Sequence, residues 1–376
     1  MKLIFVVTED WYFVTHRLSI ARAARTAGYH VAIASRFDAH EAELRAAGFE
    51  LLPLTLRRRG NSLWQELASI LELRAIYKRQ RPVIVHQVAL KPVVFGSMAA
   101  WGLQGVGVVN ALAGLGHVFT ARGIIAAVSR FALGRVLRVV LSRPGSVTIV
   151  QNDADRESLL RARLVPESSV RMIRGAGVEL SDFVATSESP GAPVVLFAGR
   201  FLRSKGIDDF VCAARTLRAA GVVARFVIAG EPDADNPTSV TRRDLENWER
   251  EGVVENWGRR SDMPRVLSAA HIVCLPSRYG EGVPKILLEA AAAGRPIVTT
   301  DWPGCRDTLR AGESGLLVPP GDSHALAAAL RELIEDGERR RRFGAAGRAL
   351  AEREFDVREV AAKTLDCYRS ANPAFS

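Results

Sequence analysis

Ten short apolar runs alternate with amphipathic helical segments along the chain. The segments between the runs place apolar residues about 3.6 positions apart, and the segment 16–28 also ends on a glycine. Uninterrupted apolar runs are typical of strands buried on both faces, and their alternation with helices predicts βαβ units and parallel sheets. The predicted strands are 3–7, 30–35, 82–86, 105–109, 146–150, 194–199, 225–230, 271–276, 296–300 and 315–319.

A polar stretch with proline and glycine, SESPGAP at 187–193, divides this pattern near its middle. A chain of 376 residues is long enough for two domains of ordinary size. We therefore expect an N-terminal domain over 1–186, a C-terminal domain over 194–355, and a final helix over 356–376 that could pack back on the N-terminal domain. Open α/β sheets bind ligands beyond the carboxyl ends of their strands, so functional residues are sought there.

The net charge of +10 is unevenly distributed. Residues 1–180 hold 24 Lys and Arg against 13 Asp and Glu, whereas the remaining residues hold 27 against 28. The basic surface of the N-terminal half favours an anionic membrane or a phosphate-bearing acceptor as partner, ahead of nucleic acid. The uncharged stretch 92–121 could be interpreted as a transmembrane helix, but its glycines and polar residues favour a helix, turn, strand and loop.

The four cysteines include no CxxC pair, which argues against a zinc or iron–sulfur site. Free cysteines are typical of a reducing compartment, so a cytoplasmic protein is expected.

The segment 197–208, FAGRFLRSKGID, places two cations directly after a predicted strand. Arg200 follows the strand, and Lys205 comes five residues later, before a helix that begins near Ile207. Two cations beside a helix N-terminus suit a diphosphate. A loop of solvated basic side chains is the alternative interpretation.

A second segment, PSRYGEGVPKILLEAAAAGRPIV at 276–298, carries two carboxylates. Glu281 lies in a glycine-flanked loop after a strand, and Glu289 lies two turns into the following helix, among Leu and Ala. A carboxylate in such surroundings needs a partner or a ligand, and sugar or ribose hydroxyls can donate hydrogen bonds to it. The alternatives are a carboxylate that complements the helix dipole for Glu281 and a buried ion pair for Glu289.

Together these segments resemble glycosyltransferase family 4, whose members have the GT-B fold. The likeness rests on two glutamates separated by seven residues, on the GR…KG loop, on GCRD at 304–307 and on ESGLLVPPGD at 313–322. It is closest to the subgroup that acts on polyprenyl-diphosphate sugars in capsule and O-antigen synthesis. The segments that resemble this subgroup are 86–96, 110–120, 150–156, 175–179 and 231–240.

The resemblance implies a fold of class α/β, with two Rossmann-like domains whose parallel sheets face each other across a cleft. It also implies a retaining transferase that moves a sugar, with N-acetylhexosamine as one candidate, from a UDP-sugar to a polyprenyl-diphosphate-linked saccharide. The reaction would need neither metal nor cofactor, because cations of the protein stabilise the departing nucleotide. Accordingly, Asp233 and Asp235 of the DxD string in EPDADNP are interpreted as loop residues rather than metal ligands.

The roles implied for the donor site can be carried over residue by residue. Arg200 and Lys205 would bind the donor diphosphate, and Glu281 would hold hydroxyls of the transferred sugar. Arg200, Lys205 and Glu281 are thus the catalytic candidates, and Glu289 would hold the ribose. The residues that would line the pyrophosphate are Gly282, Val283 and Pro284.

In the N-terminal half, the candidates for acceptor binding follow predicted strands. A primary cation such as Lys91 could bind the acceptor diphosphate. Many family 4 enzymes have a histidine where this chain has Ala113, and the nearest histidine comes four residues later. The acceptor-binding candidates are Asp10, His16, His86, Lys91 and His117.

Residues 122–145 contain five arginines and no acid among Ile, Val, Phe and Leu, and 57–59 add a second basic patch. This composition fits an amphipathic helix on an anionic membrane, and equally a core-facing helix with an arginine-rich solvent side. The polyprenyl acceptor favours peripheral association with the inner face of the cell membrane.

Two other functions stay open at this point. A UDP-sugar 2-epimerase also has two Rossmann-like domains, although the double-glutamate segment disfavours it. A non-catalytic basic protein that binds membrane or nucleic acid is compatible with the charge, but the chain has no nucleic-acid-binding motif.

Overall fold

The computed structural model describes residues 1–58, 62–112, 114, 124–279 and 281–372 of the chain. Within these residues the chain forms two compact units, 1–176 with 357–376, and 177–356. Each unit contains one sheet in which all neighbouring strands are parallel. The predicted fold class is confirmed, and all ten predicted strands are present within two residues of their predicted ends.

The first unit has a seven-stranded sheet with strand order β3-β2-β1-β4-β5-β6-β7. Its strands are β1 (Lys2–Glu9), β2 (His30–Arg36), β3 (Glu50–Pro53), β4 (Ile84–Val88), β5 (Gly107–Ala111), β6 (Ser146–Val150) and β7 (Val170–Met172). Its helices are α1 (Asp10–His16), α2 (Leu18–Thr26), α3 (Glu41–Ala46), α4 (Leu63–Gln80), α5 (Leu90–Ala99), α6 (Ile124–Leu141), α7 (Asp153–Arg161) and, at the chain end, α14 (Val357–Ala371).

Alternate residues of β1 enter two different apolar cores, as the period of two along a strand requires. Leu3 and Phe5 pack with Ile20 of α2 and Tyr368 of α14. On the other face, Ile4 and Val6 pack with Leu73, Ile76 and Tyr77 of α4. The sheet is therefore covered on both faces, which explains why its strands are continuous apolar runs.

The second unit has a six-stranded sheet with strand order β10-β9-β8-β11-β12-β13. Its strands are β8 (Val194–Ala198), β9 (Arg225–Ala229), β10 (Glu255–Asn256), β11 (Ile272–Leu275), β12 (Ile297–Thr300) and β13 (Gly315–Val318). Its helices are α8 (Ile207–Ala219), α9 (Arg242–Arg250), α10 (Met263–Ala269), α11 (Lys285–Ala292), α12 (Ser323–Glu335) and α13 (Gly337–Glu354).

The units divide after Ala176, ten residues before the end expected for the first domain. The reason is that the polar stretch is held within the second unit: Arg340 donates twice to the carboxylate of Glu188, at 2.9 Å each, and Nε2 of His271 hydrogen-bonds with the carbonyl of Ser189 at 2.9 Å. A sequence typical of a linker is thus part of a folded surface.

Helix α14 belongs to the first unit although it ends the chain. The side-chain amide of Asn372, just after this helix, donates to the carbonyls of Val83 and Gly105 at 3.1 and 2.8 Å. Among the described helices, none combines the length and apolar character that a bilayer span requires.

Strand order reverses beside β8, which has β9 on one side and β11 on the other. Loops that follow β8 and β11 therefore leave the sheet side by side, and such switch points are where ligands bind in open α/β sheets. At this point Gly206 has φ +78°, and a Cβ atom there would lie 1.8 Å from the carbonyl oxygen of Pro276. Only glycine allows the two loops to approach so closely.

We expect Gly206→Ala to lower the free energy of unfolding by at least about 3 kcal/mol, because it adds a backbone clash to the strain of a positive φ. Gly221→Ala is the matched control, since Gly221 has φ +75° and no atom within 4 Å of the added Cβ. The control should lose only about 1 kcal/mol, the conformational part of the cost. Denaturant unfolding measures both, and equal losses would contradict the close approach of the loops.

Candidate active site

The centre of the site is a buried ion pair between the loops after β8 and β11. Nζ of Lys205 lies 2.8 Å from Oε2 of Glu281, and the two side chains are only 14% and 13% exposed. The hydroxyl of Ser277 donates to the other carboxylate oxygen of Glu281, also at 2.8 Å. Burial alone would lower the pKa of Lys205, but the negative charge and hydrogen bond of Glu281 raise it above its ordinary value. The lysine therefore stays protonated.

The loop that carries Glu281 is fixed at both ends. Nε of Arg278 donates to the buried carboxylate of Asp209 at 2.6 Å, and the Arg278 amide donates to the carbonyl of Ser204 at 2.9 Å. Beyond Glu281, Gly304 has φ +85°, and a Cβ atom there would lie 1.5 Å from the carbonyl oxygen of Gly282. The glycine of the GCRD segment thus allows this loop to pack closely against the backbone after β12.

The second predicted cation, Arg200, is held by an acid of the loop after β9. Its Nη1 donates to Oδ2 of Asp233 at 2.6 Å, and the amide of Asp233 donates to the hydroxyl of Ser239 at 2.9 Å. Asp233 and Asp235 lie in a loop, as interpreted from the sequence. Among the described residues, no three His, Cys, Asp or Glu side chains are grouped so that they could hold a metal ion.

Tyr279 lies among these charges. Burial and the nearby charge of Glu281 raise the pKa of its hydroxyl, whereas the charges of Lys205 and Arg200 act to lower it. The charges of Glu281, Lys205 and Arg200 thus all act on this one phenol.

Glu289 lies on α11 and is 7% exposed. Nζ of Lys285, one helical turn earlier, lies 3.2 Å from its carboxylate, so the ion pair considered from the sequence is present. Even so, burial raises the pKa of Glu289 above its ordinary value, because Lys285 offsets only part of the desolvation. The carboxylate is incompletely stabilised by the protein.

The predicted pyrophosphate-lining residues connect Glu281 to α11. Pro284 precedes the first residue of that helix with φ −64°, a backbone angle that suits a helix start. Val283 and Pro284 are buried, and Gly282 is partly exposed. These three residues are therefore positioned by the same contacts of Arg278 and Gly304 that fix the loop around Glu281.

Two predicted acceptor residues are structural, which corrects the expectation for them. Asp10 is 1% exposed, and its carboxylate accepts hydrogen bonds from the amides of Trp11, Asp38 and His40 at 2.7–2.9 Å. His86 is 1% exposed, and its Nδ1 lies 2.7 Å from the hydroxyl of Tyr368. Burial holds the pKa of His86 well below its ordinary value, so the ring is neutral.

The other acceptor candidates lie on helices of the first unit or outside the described residues. His16 is partly exposed at the end of α1 and stacks on Tyr12 with the ring centroids 4.3 Å apart. Nζ of Lys91 donates to Glu66 and to the carbonyl of Arg57, both at 2.7 Å. Lys91 also lines a cavity of about 270 Å³ together with Thr55, Arg57, Gln65, Glu66, Ala68 and Ser69. His117 lies outside the described residues.

The side chains that hold the predicted site residues in place are not evident from the sequence. Ser277, Tyr279 and Asp209 contact the ion pair or its loop, yet each is a common residue type without a distinctive neighbour. The sequence marks Asp233 as a loop residue but does not show its partner. Its pairing with Arg200 depends on the adjacency of β8 and β9, which no local pattern shows.

Models of known protein families match both halves of the chain. Residues 181–350 match the family "Glycosyl transferases group 1", and residues 2–123 match the family "Glycosyl transferase 4-like". The first match contains Arg200, Lys205, Glu281 and Glu289, and the two matches together cover most of both units.

One relative and two solved structures are similar over nearly the whole chain. The N,N'-diacetylbacillosaminyl-diphospho-undecaprenol alpha-1,3-N-acetylgalactosaminyltransferase of Campylobacter jejuni is 26% identical over 94% of each chain. Sucrose-phosphate synthase of Thermosynechococcus elongatus has a TM-score of 0.79, with 20% identity over 100% of both chains. Anabaena Alr3699/HepE in complex with UDP has a TM-score of 0.78, with 17% identity over 98% of this chain and 100% of that one. Over most of its length the chain is therefore similar to glycosyltransferases of group 1 and of the 4-like family, and its two parallel sheets match the GT-B fold of the solved structures.

Proposed function

We propose that the second unit binds a UDP-sugar through Arg200, Lys205, Glu281 and Glu289, and that the sugar is transferred with retention of configuration. The observation that carries the proposal is the buried Lys205–Glu281 pair at the switch point of the sheet, in which Lys205 shares the loop after β8 with Arg200. The complex of Alr3699/HepE with UDP supports uridine as the base.

In the proposed complex both cations change partners. Lys205 and Arg200 are neutralised by Glu281 and Asp233, and a diphosphate would replace these carboxylates with phosphate oxygens. Glu281 would then accept hydrogen bonds from hydroxyls of the transferred sugar, and Glu289 from those of the ribose. The backbone from Gly282 to Pro284 would line the pyrophosphate.

The proposed reaction breaks the bond between the anomeric carbon and the phosphate oxygen and forms one to an acceptor hydroxyl on the same face. The hydroxyl proton passes to the departing phosphate, so no enzymic base is required. Lys205 and Arg200 stabilise the negative charge that develops on the UDP, which is the contribution that a metal ion makes in other transferases.

For the acceptor we propose a polyprenyl-diphosphate-linked saccharide, with an N-acetylhexosamine as the transferred sugar. The name of the Campylobacter relative describes an acceptor and a sugar of these kinds. The basic first half suits a diphosphate, and Lys91, in its cavity beside Arg57, is the cation we assign to it. Such an acceptor is anchored in a bilayer, so the protein would work at the cytoplasmic face of the membrane.

We expect UDP to raise the melting temperature, because a ligand that binds only the native state stabilises it. GDP should leave the melting temperature unchanged, because the proposed site binds uridine. With a UDP-sugar and a polyprenyl-diphosphate saccharide, NMR should show a product that keeps the donor's anomeric configuration. An inverted product would reject the retaining mechanism, and epimerised UDP-N-acetylglucosamine without acceptor would indicate a different enzyme.

We expect Lys205→Ala and Glu281→Gln each to lower kcat about 100- to 1,000-fold, because each removes a group that acts on the reacting centre. Glu281→Gln keeps the shape of the side chain, which separates lost chemistry from lost folding. Arg225→Ala, which breaks an exposed pair with Glu255 in the same unit, should keep full activity. Substantial turnover in both site variants, with circular dichroism unchanged, would exclude this site.

We expect Glu289→Gln to be more stable than the wild type near pH 7 but to be less stabilised by UDP. The pKa of Glu289 is raised in the folded state, so the unfolded chain releases this proton at lower pH. The wild type therefore loses stability, relative to the glutamine variant, as pH rises from the ordinary carboxyl pKa through the raised one.

Melting curves of the two proteins should accordingly converge at about pH 4 and separate on the way to neutrality. A variant that is less stable than the wild type at neutral pH would show that the Lys285 pair outweighs burial. An undiminished stabilisation by UDP would remove Glu289 from the donor site.

A further inference from the structure

Exposed apolar side chains are concentrated in one part of the first unit. Eleven large hydrophobic residues are exposed among those described, and eight of them lie between positions 64 and 139. These eight are Trp64, Leu67, Leu71, Met98, Trp101, Phe131, Val136 and Val139. Isolated exposed hydrophobics are normal, but a concentration of this kind marks an interaction surface.

The same part of the chain carries its whole positive surplus. Residues 51–150 hold 13 Lys and Arg against two Asp and Glu, a surplus of 11, whereas the complete chain has +10. Both acids are engaged within the unit: Glu66 pairs with Lys91 at 2.7 Å, and Glu72 accepts from the amide and hydroxyl of Thr55 at 3.1 and 2.7 Å. The surface that remains is basic and apolar.

Helix α4 exposes an apolar face where a surface helix is ordinarily polar. Trp64 is 80% exposed, and Leu67 and Leu71 follow on the same side of the helix at 47% and 58%. Leu67 and Leu71 lie three and seven residues after Trp64, which places the three side chains in one row along the helix. The opposite side of α4 already fills the apolar core with Leu73, Ile76 and Tyr77, so the exposed row is not needed for folding.

A second tryptophan lies beside the same helix. Trp101 follows α5 and is 53% exposed, and its carbonyl accepts a hydrogen bond from Nη1 of Arg74 on α4 at 2.6 Å. The exposed cations Lys78 and Arg79 continue α4 beyond the apolar row. We call Trp64, Leu67, Leu71 and Trp101 the α4 face.

We propose that the α4 face docks on the surface of an anionic lipid bilayer, with its tryptophans at the headgroup level and the nearby Arg and Lys on lipid phosphates. Tryptophan beside basic residues is the composition that interfacial segments use. A second copy of this chain fits less well, because two such basic surfaces repel each other. Nucleic acid also fits less well, since Leu67 and Leu71 offer no ring on which a base could stack.

This surface differs from the one expected at 122–145. In α6 the described residues also include the exposed Phe131, with the guanidinium carbon of Arg135 5.7 Å from its ring centroid, so that helix remains a second basic and apolar element. The α4 face adds two tryptophans that the arginine pattern does not reveal. The choice of a bilayer as partner rests on the proposed lipid-linked acceptor, but binding to vesicles can be measured without any acceptor.

The test is co-sedimentation of the full chain with vesicles of equal parts phosphatidylglycerol and phosphatidylethanolamine, free of polyprenyl lipid. We expect the triple variant Trp64→Ser, Leu67→Ser, Leu71→Ser to partition at least about tenfold more weakly than the wild type. The matched control, Val184→Ser with Val223→Ser, replaces exposed apolar residues of the second unit and should bind as the wild type does. Replacing phosphatidylglycerol by phosphatidylcholine should weaken binding of the wild type.

The proposal is overturned if the triple variant and the wild type partition equally. It is also overturned if the wild type does not bind the vesicles. Light scattering could show that the wild type is a dimer and the triple variant a monomer. That result would assign the α4 face to a second copy of the chain and would also overturn the proposal. Turnover of a short-chain, water-soluble acceptor separates the two questions. If that turnover is normal in both proteins but neither binds the vesicles, or both bind them equally, the transferase assignment stands and the docking face is wrong.

Discussion

The buried pair of Lys205 and Glu281 sets the constraint under which the second unit is built. Two charges that are taken out of water are tolerable only while each keeps the other, since a lone buried charge costs several kcal/mol. The loops after β8 and β11 must therefore keep a fixed position relative to each other. Strand order makes them neighbours, Gly206 allows the close approach, and the pairing of Arg278 with Asp209 ties the glutamate loop to α8.

The same pairing determines what kind of ligand can enter. Lys205 and Arg200 each have a carboxylate partner, so the site carries balanced charge rather than an open cationic patch. A weakly charged ligand cannot replace the ion pairs that these cations form with Glu281 and Asp233. A diphosphate offers several oxygens to both cations at once, and a sugar beside it can occupy the released glutamate with hydroxyls. The balance thus favours a ligand with both groups over a simple anion.

Continuous apolar runs were enough to predict every strand around the candidate site, because strands buried on both faces leave such runs in the sequence. They could not show which loops meet, because strand order is a property of the whole sheet. Two acceptor candidates, His86 and Asp10, lie where a ligand was not expected to be excluded, each for a local reason. The strand predicted over 82–86 lies at 84–88, so His86 points from within β4 into the core instead of following the strand. Asp10 does follow a strand, but its carboxylate fixes the backbone at 38–40 instead of facing a ligand.

Periodicity is least informative for α4, which has apolar residues on two sides and so no single apolar stripe to predict. Only the packing of Leu73, Ile76 and Tyr77 shows which side is used for the core and leaves Trp64, Leu67 and Leu71 in water. An exposed apolar row invites association between copies, and the surplus of basic residues around it opposes that association by repulsion. The repulsion disappears when the facing surface is anionic, so the charge that keeps copies apart is also the charge that would draw this row onto a bilayer of acidic lipids.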